Sequence, residues 1–121
     1  MTHARQSLGW MGEEFACAEL QNRGYVILAR RYRRRGGELD IVAREGQTVV
    51  FVEVKTRKGQ AFGSGPEAVT ARKRRRMIGV ATDFLSRHDL THSPCRFDVV
   101  AVDMGPDGPR VELYRNAFDA T

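Results

Sequence analysis

Cysteine is scarce in this 121-residue sequence, and long apolar stretches are missing. Cys17 and Cys95 are far apart and form no CxxC pair, so neither a zinc site nor a disulfide framework is predicted. We interpret both as core thiols. The longest apolar run, residues 48–54, is too short to cross a bilayer, and the first ten residues lack the apolar segment of a signal peptide. These absences predict a soluble, cytoplasmic protein with no membrane partner.

Acidic residues are also in deficit, with fifteen Asp and Glu against twenty Lys and Arg and a net charge of +5. Most of the excess lies in two runs, RRYRRR at residues 30–35 and RKRRR at residues 72–76. A dense basic surface attracts polyphosphate and releases its counterions, so nucleic acid is the favoured partner over an acidic protein or a membrane surface. The predicted phosphate contacts are Arg33, Arg34, Arg35, Arg57, Lys73, Arg74, Arg75 and Arg76.

The length and the 41% hydrophobic content predict one domain over residues 1–121 with a core of its own. Periodicity predicts helices over residues 5–23 and 67–88, and strands over residues 25–29, 38–44, 48–57, 95–102 and 111–114. Gly24 suits a left-handed end of the first helix, and Pro66 suits the first turn of the second. The order α-β-β-β-α-β-β indicates an α/β fold with a mixed central β-sheet flanked by helices.

Residues 48–57, TVVFVEVKTR, form the central predicted strand. Alternation along a strand places Glu53 and Lys55 on the same face as Val49 and Phe51. A buried charge without a partner costs several kcal/mol, so this placement calls for a compensating charge or a metal ion nearby. The alternative is that the strand emerges into solvent at this point, with Glu53 and Lys55 forming a surface ion pair.

The first helix carries a carboxylate on its apolar side. Counting from Glu13 by three, four and seven residues reaches Ala16, Cys17 and Leu20, which predicts that Glu13 points inward. The alternative is a helix-boundary carboxylate that reaches solvent. Gly9 and Gly12 weaken this helix by up to about 1 kcal/mol each relative to alanine, and they would permit close approach of another element.

Asp40 is predicted to approach Glu53 across a hairpin whose turn lies in residues 45–47. A loop with an even number of residues puts both carboxylates on one face of the sheet. With Gly46-Gln47 at the tip they are directly opposite, and with Glu45-Gly46 at the tip they are diagonal neighbours. An odd loop would place them on opposite faces.

Glu13, Asp40, Glu53 and Lys55 are therefore predicted to converge at one edge of the sheet. Magnesium prefers oxygen ligands and is commonly held by one or two carboxylates, with water and phosphate in the remaining positions. We expect Mg²⁺ or Mn²⁺ at Asp40 and Glu53, with the Val54 carbonyl and Glu13 as further ligands. Lys55 would orient or help to deprotonate an attacking water, and partial burial would lower its pKa toward that role.

Twelve residues separate Asp40 from the sequence Glu53-Val54-Lys55. This pattern resembles the PD-(D/E)xK signature of the restriction-endonuclease-like superfamily, in its Holliday junction resolvase-like branch. More narrowly, the chain resembles the YraN family of uncharacterised, endonuclease-related bacterial proteins. The matching stretches are GEEFA (12–16), GYVILARRYR (24–33), GELDIVA (37–43), VVFVEVKTR (49–57), FGSGPEAVTARKRRR (62–76), RFDVVAV (96–102) and NAF (116–118). The resemblance implies that Asp40 and Glu53 bind metal, that Lys55 is catalytic and that Glu13 supports the site. Leu39 stands where the signature has proline.

Two functions follow as hypotheses. The first is a metal-dependent nuclease that acts on DNA, including branched or damaged DNA, by water attack at phosphate; a chain this short is expected to need a homodimer to cut two strands symmetrically. The second is a nucleic-acid-binding module that retains a nuclease fold without turnover. A third interpretation treats the four site residues as surface ion pairs.

Overall fold

The structure is a computed structural model that describes residues 2–58 and 69–119, with side chains described from Leu8 onward. Its elements are α1 (Thr2–Asn22), β1 (Val26–Arg34), β2 (Gly37–Glu45), β3 (Thr48–Arg57), α2 (Ala71–Arg87), β4 (Cys95–Gly105) and β5 (Gly108–Phe118). This order confirms the predicted α/β class. Within the described residues, neither helix combines the length and apolar character needed to cross a membrane.

The five strands form one mixed sheet in the order β1-β2-β3-β4-β5. Strands β3 and β4 are parallel, and the other neighbouring pairs are antiparallel. Parallel neighbours need a long crossover, and α2 lies within the segment that connects β3 to β4. The predicted mixed sheet is therefore confirmed, and β3 is its central strand.

The two helices cover opposite faces of the sheet. Val49 and Phe51 of β3 pack in a core cluster with Met77 and Phe84 of α2. The alternate residues of β3, including Val50 and Val52, pack in a second cluster with the apolar side of α1. Burial of β3 on both faces accounts for its nearly continuous apolar sequence.

Strand β1 is longer than its sequence predicts, since it continues through the first arginine run to Arg34. Its backbone pairs with β2 as far as the partners Arg34 and Gly37. The prediction that the strand ends at Ala29 was wrong because β1 lies at the sheet edge, where exposed arginines are compatible with pairing on one side only. Strand β5 likewise exceeds its predicted residues 111–114 at both ends.

Helix α2 begins at Ala71, so the predicted start at residue 67 was wrong. Thr70 is the N-cap: its backbone is extended, at φ −68° and ψ 160°, and its Oγ1 accepts a hydrogen bond from the Lys73 backbone N–H at 3.1 Å. Pro66 lies outside the described residues. Cys17 is buried as predicted, whereas Cys95 is exposed at the start of β4, so its assignment as a core thiol was wrong.

Gly12 lets α1 approach β3 closely. A Cβ at this position would overlap Thr56 Oγ1 and lie 2.9 Å from both Cβ and Cγ2 of Thr56, whereas a Cβ on Gly9 meets nothing within 4 Å. We expect Gly12→Ala to lower the free energy of unfolding by about 1–3 kcal/mol through overpacking, and Gly9→Ala to raise it by up to about 1 kcal/mol through helix propensity. Urea denaturation measures both variants. Equal effects of the two would contradict this packing.

Candidate metal and phosphate site

Asp40 and Glu53 lie across the β2-β3 hairpin on the face that α2 covers. The hairpin has the two-residue tip Gly46-Gln47, and in its register Ile41 pairs with Val52. The next pair in this register places Asp40 directly opposite Glu53, which is the alternative predicted for a Gly46-Gln47 tip. Asp40 Oδ2 accepts a hydrogen bond from the Val54 backbone N–H at 2.8 Å, which ties its carboxylate to β3.

Both carboxylates open into a cavity of about 370 Å³ between the hairpin and the N-terminal half of α2. The strands contribute its acidic wall, and α2 contributes its basic wall. The lining residues are Gly37, Glu38, Asp40, Glu53, Thr70, Arg72, Lys73, Arg76 and Met77. A pocket walled by carboxylates on one side and by cations on the other suits a ligand that combines a metal ion with phosphate.

Glu53 is only 2% exposed, and two lysines compensate its charge. Lys73 Nζ contacts Glu53 Oε2 directly, and Lys55 Nζ lies 3.9 Å from the same oxygen. The interpretation of Glu53 and Lys55 as a solvent-exposed ion pair is wrong, because the carboxylate is buried. Lys73 provides the nearer counter-ion, and the phosphate contact predicted for it from the sequence stays a prediction.

Burial shifts the ionisation of two site residues in opposite directions. The pKa of Asp40 is raised to about 8, first by burial and next by the negative charge of Glu53. The pKa of Lys55 is lowered, first by burial and next by the positive charge of Lys73. The direction at Lys55 agrees with the sequence-based expectation. Asp40 lies beside a negative charge that a bound cation would offset.

Glu13 points inward as predicted, but it does not line the cavity. Its Oε1 lies 2.9 Å from Arg31 Nε and 3.7 Å from an Arg30 guanidinium nitrogen. Its charge contributes to the raised pKa of Asp40, which places the two carboxylates within electrostatic range. Among the described residues, no three Asp, Glu, His or Cys side chains form a group that could hold a metal ion. The guanidinium groups of Arg30 and Arg31 pair with Glu13, and its convergence with Asp40 and Glu53 on one metal ion stays a prediction.

The predicted phosphate contacts divide into engaged and outward-facing side chains. Arg33 donates to Glu38 at 3.0 Å, and Arg34 donates to Asp83 at 3.0 Å. Arg74 lies over the Phe118 ring and donates to the Val69 carbonyl, so it packs inward. Three others are exposed on the surface, namely Arg35, Arg75 and Arg76. Arg57 is the last residue of β3, two residues beyond Lys55. Phosphate contact by each of these residues stays a prediction.

Sequence reasoning missed Glu38 and Arg72 as lining residues and Lys73 as the partner of Glu53. Helical spacing contained a signal for Lys73, which lies four residues before the buried Met77 and so shares the sheet-facing side of α2. Alternation also places Glu38 on the Asp40 face of β2. No sequence pattern indicated how far α2 would extend over Glu53, because that depends on tertiary packing.

The second buried carboxylate, Asp98, belongs to a different network that was also missed. It is fully buried and accepts hydrogen bonds from Arg96, Tyr25 and the Asn116 backbone N–H. Arg96 also donates to Glu45 at 2.7 Å. These partners satisfy the Asp98 charge without a ligand, and none of them lines the cavity. The network therefore joins the strands β2, β4 and β5 to the residue that precedes β1.

The fold and the site together define a small mixed α/β protein with a carboxylate-and-cation cavity on its central hairpin. A sequence profile of the uncharacterised protein family UPF0102 matches residues 12–102, and the chain belongs to this family. This confirms the YraN-type family predicted from the sequence motifs.

Full-length relatives agree with this assignment. The chain is 49% identical over 114 residues to a UPF0102 protein of Symbiobacterium thermophilum, covering 93% of this chain and 97% of that protein. It is 44% identical over 119 residues to one of Geobacter sulfurreducens, covering 98% and 93% respectively. It is 38% identical over 118 residues to one of Dehalococcoides mccartyi, covering 98% of both. The names of these relatives state no activity.

Proposed function

We propose that this protein is a metal-dependent nuclease that hydrolyses phosphodiester bonds in DNA. The observation that supports the proposal is the single cavity in which Asp40 and Glu53 face Arg72, Lys73 and Arg76. Carboxylates that bind a divalent cation and cations that bind phosphate are the two components that metal-assisted phosphate chemistry requires. Here one cavity provides both.

The donor set fits Mg²⁺ or Mn²⁺. Magnesium is usually held by one or two carboxylates and keeps several positions for water and substrate. Asp40 and Glu53 supply the two carboxylates, and the Val54 carbonyl is the proposed third protein ligand. The Lys73 ammonium against Glu53 supports the fit, because this buried carboxylate already binds a cation. Glu13 acts through Asp40 in this proposal, since its own partners are Arg30 and Arg31.

The start of α2 is suited to phosphate. Its first turn holds basic residues and no acidic ones. Cations at a helix N-terminus oppose the helix dipole, so this composition costs stability unless an anion offsets it. Arg72 and Arg76 line the cavity at this end. The exposed arginines at the end of β1 and on α2 extend the positive surface along which a DNA backbone is proposed to lie.

Lys55 is the proposed catalytic base. When bound, a divalent cation would lower the pKa of a coordinated water and offset charge on the phosphate. Lys55 lies 3.9 Å from Glu53, and its lowered pKa increases the fraction of neutral amine. It would hold the attacking water by a hydrogen bond and accept its proton. A homodimer is the proposed assembly for cutting both strands.

Purified protein incubated with branched, nicked, single-stranded and duplex DNA tests this function. We expect cleavage of at least one substrate in Mg²⁺ or Mn²⁺ and none in EDTA. Salt-sensitive DNA binding without cleavage on any substrate would favour the non-catalytic binding module instead. Calorimetric titration with Mn²⁺ further distinguishes the nuclease from the binding module, because only the nuclease requires metal binding.

A further inference from the structure

The ion pair between Lys73 and Glu53 bears on how a metal ion would enter the proposed site. Glu53 is almost completely buried on β3, so its carboxylate needs a positive partner in every state of the protein. Lys73 meets that need by contacting Oε2 of Glu53, a residue that lines the cavity. A divalent cation at Glu53 would compete with the same ammonium group.

Of the two lysines on this oxygen, Lys73 is the one that can leave. Its side chain is 42% exposed and lies on α2, whereas the Lys55 side chain is 26% exposed and lies on β3 beside Glu53. A long, half-exposed side chain can move its ammonium into the cavity or into solvent without moving the helix. Arg72 and Arg76 line the same cavity wall, where a phosphate is proposed to bind and would offset the charge of the released ammonium.

We propose that Lys73 is an exchangeable counter-ion: it pairs with Glu53 until a divalent cation binds there, and it then moves to a substrate phosphate. This role rests on the proposed function. It links metal binding to phosphate binding, because the cation that occupies Glu53 also releases an ammonium group for the DNA backbone. In the metal-free protein the same contact gives the buried carboxylate a positively charged partner.

Calorimetric titration of Mn²⁺ into the wild type and Lys73→Met tests the proposal without any assay of cleavage. Removing the competing ammonium is expected to lower the Kd for Mn²⁺ at least about fivefold. Arg76→Met is the matched control, because it removes one positive charge from the same cavity wall without touching Glu53. We expect its Kd to change less than about twofold, as its charge is more exposed and screened.

A Kd for Lys73→Met that is unchanged or higher would overturn the counter-ion role and indicate that Lys73 orients Glu53 for the metal. An equal decrease in both variants would also overturn it, since it would indicate general repulsion. If Lys73→Met fails to fold, NMR spectroscopy of the wild type provides the test. The ¹³Cε resonance of Lys73 should shift when Mg²⁺ is added. A resonance that does not move at saturating Mg²⁺ would refute the exchange. Absence of metal binding by the wild type would refute the proposed function itself.

Discussion

Glu53→Gln is expected to reduce DNA cleavage by about 1000-fold or more under conditions in which the wild type is active. Glutamine keeps the size of the side chain but removes the charge that is proposed to hold a metal ion. It also leaves Lys73 and Lys55 facing a neutral amide, so both ammonium groups lose a charged partner. The measurement is the single-turnover rate of cleavage in Mg²⁺ or Mn²⁺.

Glu38→Gln is the matched control for this prediction. Glu38 also lines the cavity, but it forms an ion pair with Arg33 and is not among the proposed metal ligands. We expect its cleavage rate to stay within about threefold of the wild type, as for an exposed ion pair. Equal losses in the two variants would show that cavity charge, rather than ligation by Glu53, governs the rate.

Asp40→Asn is expected to change how stability depends on pH. The folded-state pKa of Asp40 is raised to about 8 by burial and by Glu53, against about 3.9 for an unfolded aspartate. Between these values the folded protein binds more protons than the unfolded chain, so its free energy of unfolding falls as pH rises from about 4 to 8. Asparagine cannot ionise, yet its side-chain oxygen can accept the same hydrogen bond from Val54.

The free energy of unfolding of Asp40→Asn should therefore increase relative to that of the wild type as the pH rises. In EDTA we expect Asp40→Asn to be more stable than the wild type by roughly 2 kcal/mol or more at about pH 8.5, and the difference to shrink toward about pH 4. Urea denaturation at several pH values gives the difference. Saturating Mg²⁺ should stabilise only the wild type. Parallel pH profiles for the two proteins would refute the burial of an ionisable Asp40 beside Glu53.

Periodicity alone predicted most of the fold and the centre of the site. Alternation in β3 identified Glu53 as a charge on a buried face, and a turn containing Gly46 placed Asp40 opposite it. Both inferences depend only on strand geometry, which is local and regular. The element order followed from the same patterns. The second half of β1 was not predicted, because its arginines lack the apolar alternation of a strand.

Long-range packing decided what the sequence did not predict. Glu13 has the helical spacing of an inward-facing residue, but spacing does not predict which residues it will contact. In the structure it pairs with Arg30 and Arg31 and does not line the cavity. The sequence predicts a phosphate contact for Lys73, but it did not predict that Lys73, one turn before Met77, would reach Glu53. Side chains as long as lysine and arginine choose their partners from charges that only the folded chain brings together.

A crystal structure of the protein soaked in Mn²⁺, with data collected at the manganese absorption edge, tests the central claim most directly. We expect an anomalous peak in the cavity between the carboxylates of Asp40 and Glu53, with the Lys73 ammonium moved away from Glu53. A saturating soak that leaves no peak there, with Lys73 still in contact with Glu53, would contradict it.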